Sequence, residues 1–249
     1  MVYWWYTICV VKSMIISGLQ KMTLLDFPGK VACTVFLQGC NFRCPFCHNS
    51  DLLGTDGPEP IAQETLLGFL KQRVGLLDGV CITGGEPTLQ ADLPQLLRSI
   101  KELGYLVKLD TNGNRPEVLK ALVAEGLVDY VAMDIKNCPD RYGATAGVPN
   151  MSLAHVEESV RFLLSGAVDF EFRTTVMDEL HDEGGFAAIG SWLHTLCPDR
   201  KAPRFFLQPY VDRERVLVGG FTAPAAEKLQ KMADSIAPFV EQVTIRGQD

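Results

Sequence analysis

Six short runs rich in β-branched and aromatic residues recur along the chain, and each precedes a stretch with apolar residues spaced three and four apart. The runs are VACTVFLQ (31–38), GVCIT (79–83), YLVKLDT (105–111), DYVAMDI (129–135), DFEFRTTV (169–176) and RFFLQ (204–208). This alternation predicts strand–helix units, which form a parallel sheet with right-handed crossovers. With 249 residues, 47% of them hydrophobic, the chain can bury a full core.

Glycine and proline mark several predicted helix boundaries. An apolar stripe from Leu93 to Leu103 stops at Gly104, as a C-cap glycine would require. Pro116 suits the first turn of the next helix. Two later stripes cover 156–163 and 225–236, and VEQVTIRG, which follows the second, is a candidate closing strand.

The positions of unusual residues favour a barrel over an open sheet. QGC, TGGEP, DTNG, DIK, RTT and LQP each fall at the carboxyl end of a predicted strand. A barrel collects these ends around one mouth, where its active sites lie. We therefore expect a single α/β domain over residues 16–249, built as a partial (β/α)6 TIM-type barrel.

Residues 1–15 are expected to be an N-terminal extension. The stretch MVYWWYTICVVKS (1–13) lacks the basic region and small-residue cleavage site of a secretory signal, and has no polar face for an interfacial anchor. No segment approaches the roughly 20 apolar residues of a membrane helix. We therefore expect a cytoplasmic protein, whose thiols stay reduced and whose clustered cysteines bind metal.

The charge balance disfavours nucleic acid as a ligand. The net charge is −7 and the pI is near 5.2. Binding to a phosphate backbone requires the opposite balance.

Three of the eight cysteines lie within GCNFRCPFCHN (39–49): Cys40, Cys44 and Cys47. A structural zinc site takes four ligands, usually as two CxxC pairs, and no second pair follows. His48 directly follows Cys47, a poor spacing for closing one tetrahedron. A [4Fe–4S] cluster normally takes four cysteines, so binding by three leaves one iron open to a non-protein ligand. The missing ligand would then be the binding site.

The CxxxCxxC spacing, with Phe46 before the last cysteine, resembles the motif of radical S-adenosylmethionine (SAM) enzymes. TGGEP (83–87), at the end of the next strand, resembles the family motif that holds the methionyl amino group. Its glycines allow close backbone approach to a ligand, and Glu86 offers carboxylate oxygens to an ammonium. The resemblance implies one [4Fe–4S] cluster per chain, with SAM chelating its open iron and cleaved by one electron to a 5′-deoxyadenosyl radical.

Three further stretches resemble a narrower group, the glycyl-radical-enzyme activating proteins: CHN (47–49), LDTNG (109–113) and MDIK (133–136). From about residue 16 onward the chain is close to the activators of anaerobic ribonucleoside-triphosphate reductase. This resemblance implies hydrogen abstraction from a glycine of a larger partner enzyme. Because only Cys197 lies in the C-terminal region, no auxiliary cluster is expected, and the electron would come from flavodoxin or ferredoxin.

The resemblance also implies roles for individual residues. In the related pyruvate formate-lyase activating enzyme, the matching stretches form a monovalent cation site beside SAM, which corresponds here to Asp110, Thr111 and Met133. Gln208 stands where that enzyme carries a histidine, a departure that bears on the partner. The implied SAM contacts are Phe46, Gly84, Gly85, Glu86, Asp110, Asp134, Lys136, Arg173 and Gln208.

Ordinary structural roles are also open for these residues. Asp110 suits an Asx turn, Lys136 a solvated strand end, and Arg173 an ion pair with Glu171 or Asp178. His155, His181 and His194 lack clustered partners and are expected to be surface or structural residues.

Three alternative functions are also open. One is an activator of another glycyl radical enzyme, of the pyruvate formate-lyase type. Another is a small-molecule radical SAM enzyme such as 7-carboxy-7-deazaguanine synthase, although CHN and DIK differ from its CDT and serine–proline–lysine stretches. The third is a non-catalytic, zinc-stabilised adaptor. The sequence also leaves the oligomeric state open.

Overall fold

The computed structural model describes residues 14–54, 57–212 and 216–247. The N-terminal extension predicted over residues 1–15 lies almost entirely outside this part of the chain. Among the residues described, no helix is both long and apolar enough to cross a bilayer.

Eight strands form one sheet in chain order, with β1 antiparallel to β2 and every later neighbour parallel. The strands are β1 (Ile16–Thr23), β2 (Ala32–Leu37), β3 (Gly79–Gly84), β4 (Leu106–Thr111), β5 (Tyr130–Asp134), β6 (Asp169–Val176), β7 (Ala202–Pro209) and β8 (Val240–Ile245).

Seven α-helices occur among the described residues and connect the parallel strands. They are α1 (Gln63–Lys71), α2 (Leu93–Glu102), α3 (Pro116–Ala124), α4 (Pro139–Thr145), α5 (Ala154–Leu164), α6 (Glu183–Leu196) and α7 (Ala226–Ile236). Short 3-10 helices cover Ser50–Leu52, Pro87–Leu89 and Ala237–Phe239.

The six predicted strands correspond to β2–β7, and β8 confirms the candidate closing strand. The predicted helix boundaries at Gly104 and Pro116 are also confirmed, since α2 ends just before Gly104 and Pro116 opens α3. Two elements were not predicted. β1 pairs along one side only and exposes much of its length, and the seven-residue α4 is too short to show an apolar stripe.

The sheet curves into a barrel that stays open along one side. In the strand order of the described residues, β1 and β8 occupy the two ends and are not hydrogen-bonded to each other. This arrangement confirms the predicted partial barrel, with six strand–helix units and an extra strand at each edge.

Alternating residues of each strand separate an outer core from the barrel interior. In β5, Val131 and Met133 belong to the large core shared with the helices, whereas Tyr130 packs in a small cluster with Phe27 and Cys81. The interior is unusually polar. Fully buried Glu171 accepts hydrogen bonds from Arg246 at 2.9 and 2.8 Å and from the Tyr130 hydroxyl at 2.9 Å.

Candidate active site

A cavity of about 230 Å³ lies at the carboxyl ends of the strands. It brings together all the predicted site residues except Met133, from motifs spread over most of the chain. The predicted residues that line it are Cys40, Cys44, Phe46, Cys47, Gly84, Gly85, Glu86, Asp110, Thr111, Asp134, Lys136, Arg173 and Gln208.

The three clustered cysteines lie on the loop that follows β2. The Cys47 N–H donates to the Cys44 carbonyl at 3.1 Å, and the Arg43 N–H donates to the Ala146 carbonyl at 2.9 Å, which ties the loop to the end of α4. Cys44 is buried, and Cys40 and Cys47 are partly buried. The loop therefore presents its thiols from a fixed backbone.

The geometry of these thiols bears on the type of metal centre. No three His, Cys, Asp or Glu side chains of the described residues converge on a position for a single ion. In a [4Fe–4S] cluster each thiolate binds a different iron, so its ligands need not converge in that way. The lack of a single-ion position among the described residues is therefore compatible with a cluster on this loop.

Burial raises the pKa of all three thiols, that of Cys40 to about 11. The nearby positive charge of Lys136 acts in the opposite direction on each of them. Because metal ligation requires thiolates, cluster assembly on this loop must release protons.

The two glycines of TGGEP lie against the cysteine loop. A β-carbon on Gly84, whose φ is +119°, would fall 2.3 Å from Leu37 backbone atoms, and one on Gly85 would fall 2.0 Å from the Gly39 carbonyl oxygen. Both positions therefore require glycine, as expected. In this structure the glycines make room for the backbone of Leu37 and Gly39, whereas the sequence suggested that they make room for a ligand. These contacts fix TGGEP beside the residue that precedes Cys40.

Glu86 joins the TGGEP and DTNG loops from a fully buried position. One carboxylate oxygen accepts from the Thr88 N–H at 3.2 Å, from the Thr88 hydroxyl, and from the Thr111 hydroxyl at 2.7 Å. The other accepts from the Asn112 N–H at 2.7 Å. Burial raises the pKa of Glu86. Both carboxylate oxygens thus serve as internal acceptors that join the two loops, and Glu86 also lines the cavity.

Five charged side chains form a ladder, of which all but buried Lys108 line the cavity. Its order is Lys108, Asp110, Arg173, Asp134 and Lys136. Arg173 Nη1 lies 3.0 Å from Asp110 and its Nε 2.5 Å from Asp134, whose other oxygen lies 2.8 Å from Lys136 Nζ. Lys108 pairs with the remaining oxygen of Asp110.

The charges of the ladder shift one another's pKa. Burial alone would raise the pKa of Asp110 and of Asp134, but Arg173 and the lysines outweigh it and lower both. For Lys136 burial acts downward, and the charge of Asp134 outweighs it and raises the pKa. Asp110 and Asp134 therefore stay ionised, and Lys136 stays protonated, at neutral pH.

The ladder corrects several of the simpler expectations. Arg173 pairs with Asp110 and Asp134, whereas Glu171 pairs with Arg246 and Asp178 with Lys228. The Asx turn of this region belongs to Asn112, whose side-chain oxygen accepts from the Asn114 N–H at 3.0 Å. Lys136 is largely buried at the cavity, so it is not a solvated strand end.

The Met133 side chain faces away from the cavity, so any part that Met133 takes in the predicted cation site would fall to its backbone carbonyl. It belongs to the outer core, and a β-carbon on Gly113 would fall 2.1 Å from its terminal methyl carbon. Asp134, one residue later, faces the cavity instead, because successive side chains of a strand point to opposite sides.

Some residues that support the site were not predicted. The Asn112 amide donates to Asn41 on the cysteine loop at 2.8 Å. Lys108 stands two residues before Asp110 in YLVKLDT. Residues two apart on a strand share a face, so this spacing could have predicted the pairing of Lys108 with Asp110. His181, which was expected to be a surface or structural residue, is buried. Its Nε2 lies 3.0 Å from the Lys136 carbonyl oxygen, so it supports the backbone at Lys136.

The comparisons with known proteins agree with this site. The family model of the Radical SAM superfamily matches residues 34–192, which contain every predicted site residue except Gln208. The chain therefore belongs to the radical SAM superfamily. Membership of this superfamily implies a [4Fe–4S] cluster and SAM.

Two relatives define the similarity further. A protein of Methanocaldococcus jannaschii, assigned by name to the glycyl-radical enzyme activating enzymes, is 39% identical over 131 residues, 51% of this chain and 52% of that protein. The match thus spans about half of that relative's length. The pyruvate formate-lyase-activating enzyme of Streptococcus mutans serotype c is 28% identical over 210 residues, 79% of this chain and 77% of that protein.

A crystal structure with a similar fold is a domain of the pyruvate-formate lyase-activating enzyme from Bacteroides vulgatus ATCC 8482. Its TM-score is 0.56 at 21% identity, and the match covers 68% of this chain and 99% of that one. At this identity the similarity establishes the fold alone.

Proposed function

We propose that this protein generates a glycyl radical on a partner enzyme, and that the partner is an anaerobic ribonucleoside-triphosphate reductase. One observation carries the proposal. The CHN, TGGEP, DTNG and DIK stretches, which together resemble the activating proteins, all line one cavity at the mouth of a laterally open barrel.

In this proposal Cys40, Cys44 and Cys47 hold the cluster, and SAM completes the coordination of its open iron. When bound, the reduced cluster and SAM supply a 5′-deoxyadenosyl radical, which takes a hydrogen atom from a glycine Cα and leaves methionine and 5′-deoxyadenosine. The single electron comes from an external donor of the flavodoxin or ferredoxin class.

The chain's own residues bind and orient SAM. Gly84, Gly85 and Glu86 line the cavity beside the cysteine loop, where backbone carbonyl and carboxylate oxygens suit the methionyl ammonium. The cationic ladder residues Arg173 and Lys136 suit the carboxylate of SAM. Phe46, which packs edge-on against Phe221 at 6.2 Å between centroids, offers a ring at the cavity for the adenine.

The partner's glycine must come close to the cavity, because a primary carbon radical reacts with nearby C–H bonds and selectivity depends on placement. Beyond β7, the Val218 N–H donates to the Pro45 carbonyl on the cysteine loop at 2.9 Å. Val211, Leu217 and Val218 on this segment are 57%, 44% and 53% exposed. This apolar rim supports docking of a partner loop there.

The decisive experiment is EPR on reduced, cluster-loaded protein mixed with SAM and a candidate partner under anaerobic conditions. We expect a glycyl radical doublet with anaerobic ribonucleoside-triphosphate reductase. The matched controls are Cys44→Ala in this protein and a glycine-to-alanine change in the partner, and neither should give the doublet.

Other outcomes separate the alternatives. A doublet with a pyruvate formate-lyase type partner but none with the reductase would keep the reaction and replace the partner. SAM cleavage that depends on a small molecule, with no protein doublet, would instead support an enzyme of the 7-carboxy-7-deazaguanine synthase kind. Protein that carries zinc but no iron or sulfide after anaerobic preparation would contradict the proposal altogether.

A further inference from the structure

The two carboxylates on the cavity floor have every oxygen paired with a cation of the chain itself. Asp110 is bound by Lys108 on one oxygen and by Arg173 on the other, at 3.0 Å in the second case. Asp134 is bound by Arg173 at 2.5 Å and by Lys136 at 2.8 Å. Three cations and two carboxylates give this ladder a net charge of +1.

The residues implied for a monovalent cation site therefore do not fit a bound ion. Both Asp110 oxygens are occupied by ion pairs. The Thr111 hydroxyl donates to Glu86 at 2.7 Å and accepts from the Gly113 N–H at 3.1 Å. The Met133 side chain packs into the outer core, and its thioether is not a ligand that an alkali cation prefers.

Lys108 is the unusual member of the ladder, because only 2% of its side chain is exposed. It lies one inward-facing position below Asp110 in β4, in register with Tyr130 of β5. A lysine is almost never fully buried unless it is paired, and its ammonium is a compact point charge comparable in role to a bound alkali cation. Its only ion-pair partner within the described residues is Asp110.

We propose that the Lys108 ammonium, acting with Arg173, takes the place of a monovalent cation, so that this enzyme binds SAM without sodium or potassium. Lys108 is then a positioning residue. It neutralises Asp110, leaves Arg173 and Lys136 with an uncompensated positive charge, and thereby attracts the carboxylate of SAM. The inference rests on the proposed binding of SAM in this cavity.

The first test uses wild-type protein with its cluster loaded. SAM affinity is measured by calorimetry in potassium, sodium or choline chloride at equal ionic strength. We expect the three affinities to agree within about twofold. Affinity that is about fivefold or more tighter in potassium or sodium than in choline would overturn the inference.

A readout on cluster-free protein is independent of activity. The thermal unfolding temperature should be the same in the three salts, since no alkali ion occupies the floor. A rise specific to potassium or sodium that saturates with concentration would reveal a cation site and contradict the inference.

The second test removes the ammonium with Lys108→Met, which keeps most of the buried chain length. The four remaining charges of the ladder then sum to zero, and SAM should bind about tenfold more weakly, since its carboxylate loses the attraction of one unit positive charge. The affinity for decarboxylated SAM, which lacks the carboxylate, should fall by less than about threefold relative to wild type. A merely structural role would weaken both ligands equally, and that outcome would contradict the inference.

The matched control is the double variant Lys108→Met with Asp110→Asn, which removes the buried carboxylate that Lys108→Met leaves unpaired. It should unfold at a higher temperature than the single variant. If the single variant fails to fold, the salt comparison on wild-type protein still decides. Absence of SAM binding by cluster-loaded wild-type protein in all three salts would overturn the proposed function, whereas salt-specific binding would overturn only this inference.

Discussion

Gly85 lies so close to Gly39 that a β-carbon on it would fall 2.0 Å from the Gly39 carbonyl oxygen. The Glu86 N–H donates to this same carbonyl at 2.7 Å. Gly39 itself directly precedes Cys40. The backbone of TGGEP and the backbone of the cysteine loop are therefore locked together, and the position of one sets the position of the other.

This contact predicts the effect of Gly85→Ala. The added methyl group meets fixed backbone, so the two loops must separate. We expect a loss of about 1–3 kcal/mol in the free energy of unfolding, as for other overpacked sites, together with reduced iron incorporation. Denaturant unfolding and iron analysis measure the two effects.

Gly68→Ala in α1 is the matched control. Nothing lies within 4 Å of a β-carbon at Gly68, and alanine favours a helix. This variant should be at least as stable as wild type and should keep its iron. Equal behaviour of the two variants would show that the loop contact is unimportant.

A three-cysteine cluster site predicts a sharp difference between cysteine variants. Cys44→Ala should abolish the visible absorption of the reconstituted cluster, because it removes one of the three proposed thiolate ligands. Cys44 is buried and lines the cavity. Cys197→Ala should leave the absorption intact, since Cys197 directly follows α6 and does not line the cavity. Loss of the cluster in Cys197→Ala would show that the three-ligand assignment is wrong.

The sequence predicted the strand–helix frame because its signals are local. Apolar spacing within one helix, and glycine or proline at its ends, do not depend on distant residues. The edge strand β1 gave a weaker signal, since it pairs on one side only. The motif residues could be assigned to one mouth because each follows a parallel strand.

The partners of individual charges could not be predicted in the same way. Arg173 and Asp110 are 63 residues apart, and their contact depends on the register of three neighbouring strands. The partners of Glu86 in the DTNG loop are 25 and 26 residues away.

The bracing role of Glu86 predicts the outcome of Glu86→Gln. All four contacts to the carboxylate come from donors, so one donor must face the new amide group without an acceptor. A buried donor without a partner costs about 1–3 kcal/mol, and we expect a loss of that size in the free energy of unfolding. Glu117→Gln, at an exposed ion pair, should change it by less than about 0.5 kcal/mol. A stable Glu86→Gln variant would mean that the carboxylate does not hold the two loops together.

His181 predicts a pH dependence of stability. Its Nδ1 accepts from the Met177 N–H at 3.3 Å, so its Nε2 carries the proton and donates to the Lys136 carbonyl at 3.0 Å, as a neutral ring does. Burial lowers the pKa of His181 from its usual 6.5. The folded state therefore takes up its proton less readily than the unfolded state, and the stabilisation is complete above the unfolded pKa. It is lost as the pH falls through the folded pKa, with a slope of at most about 1.4 kcal/mol per pH unit.

His181→Gln, which cannot titrate, should show a smaller fall in the free energy of unfolding between neutral and mildly acidic pH than wild type does. Urea unfolding of cluster-free protein at a series of pH values measures this difference. His194→Gln, at an exposed position, is the matched control and should follow the wild-type curve. If the free energy of unfolding of His181→Gln also followed the wild-type pH curve, protonation of His181 would not cause the loss of stability in acid.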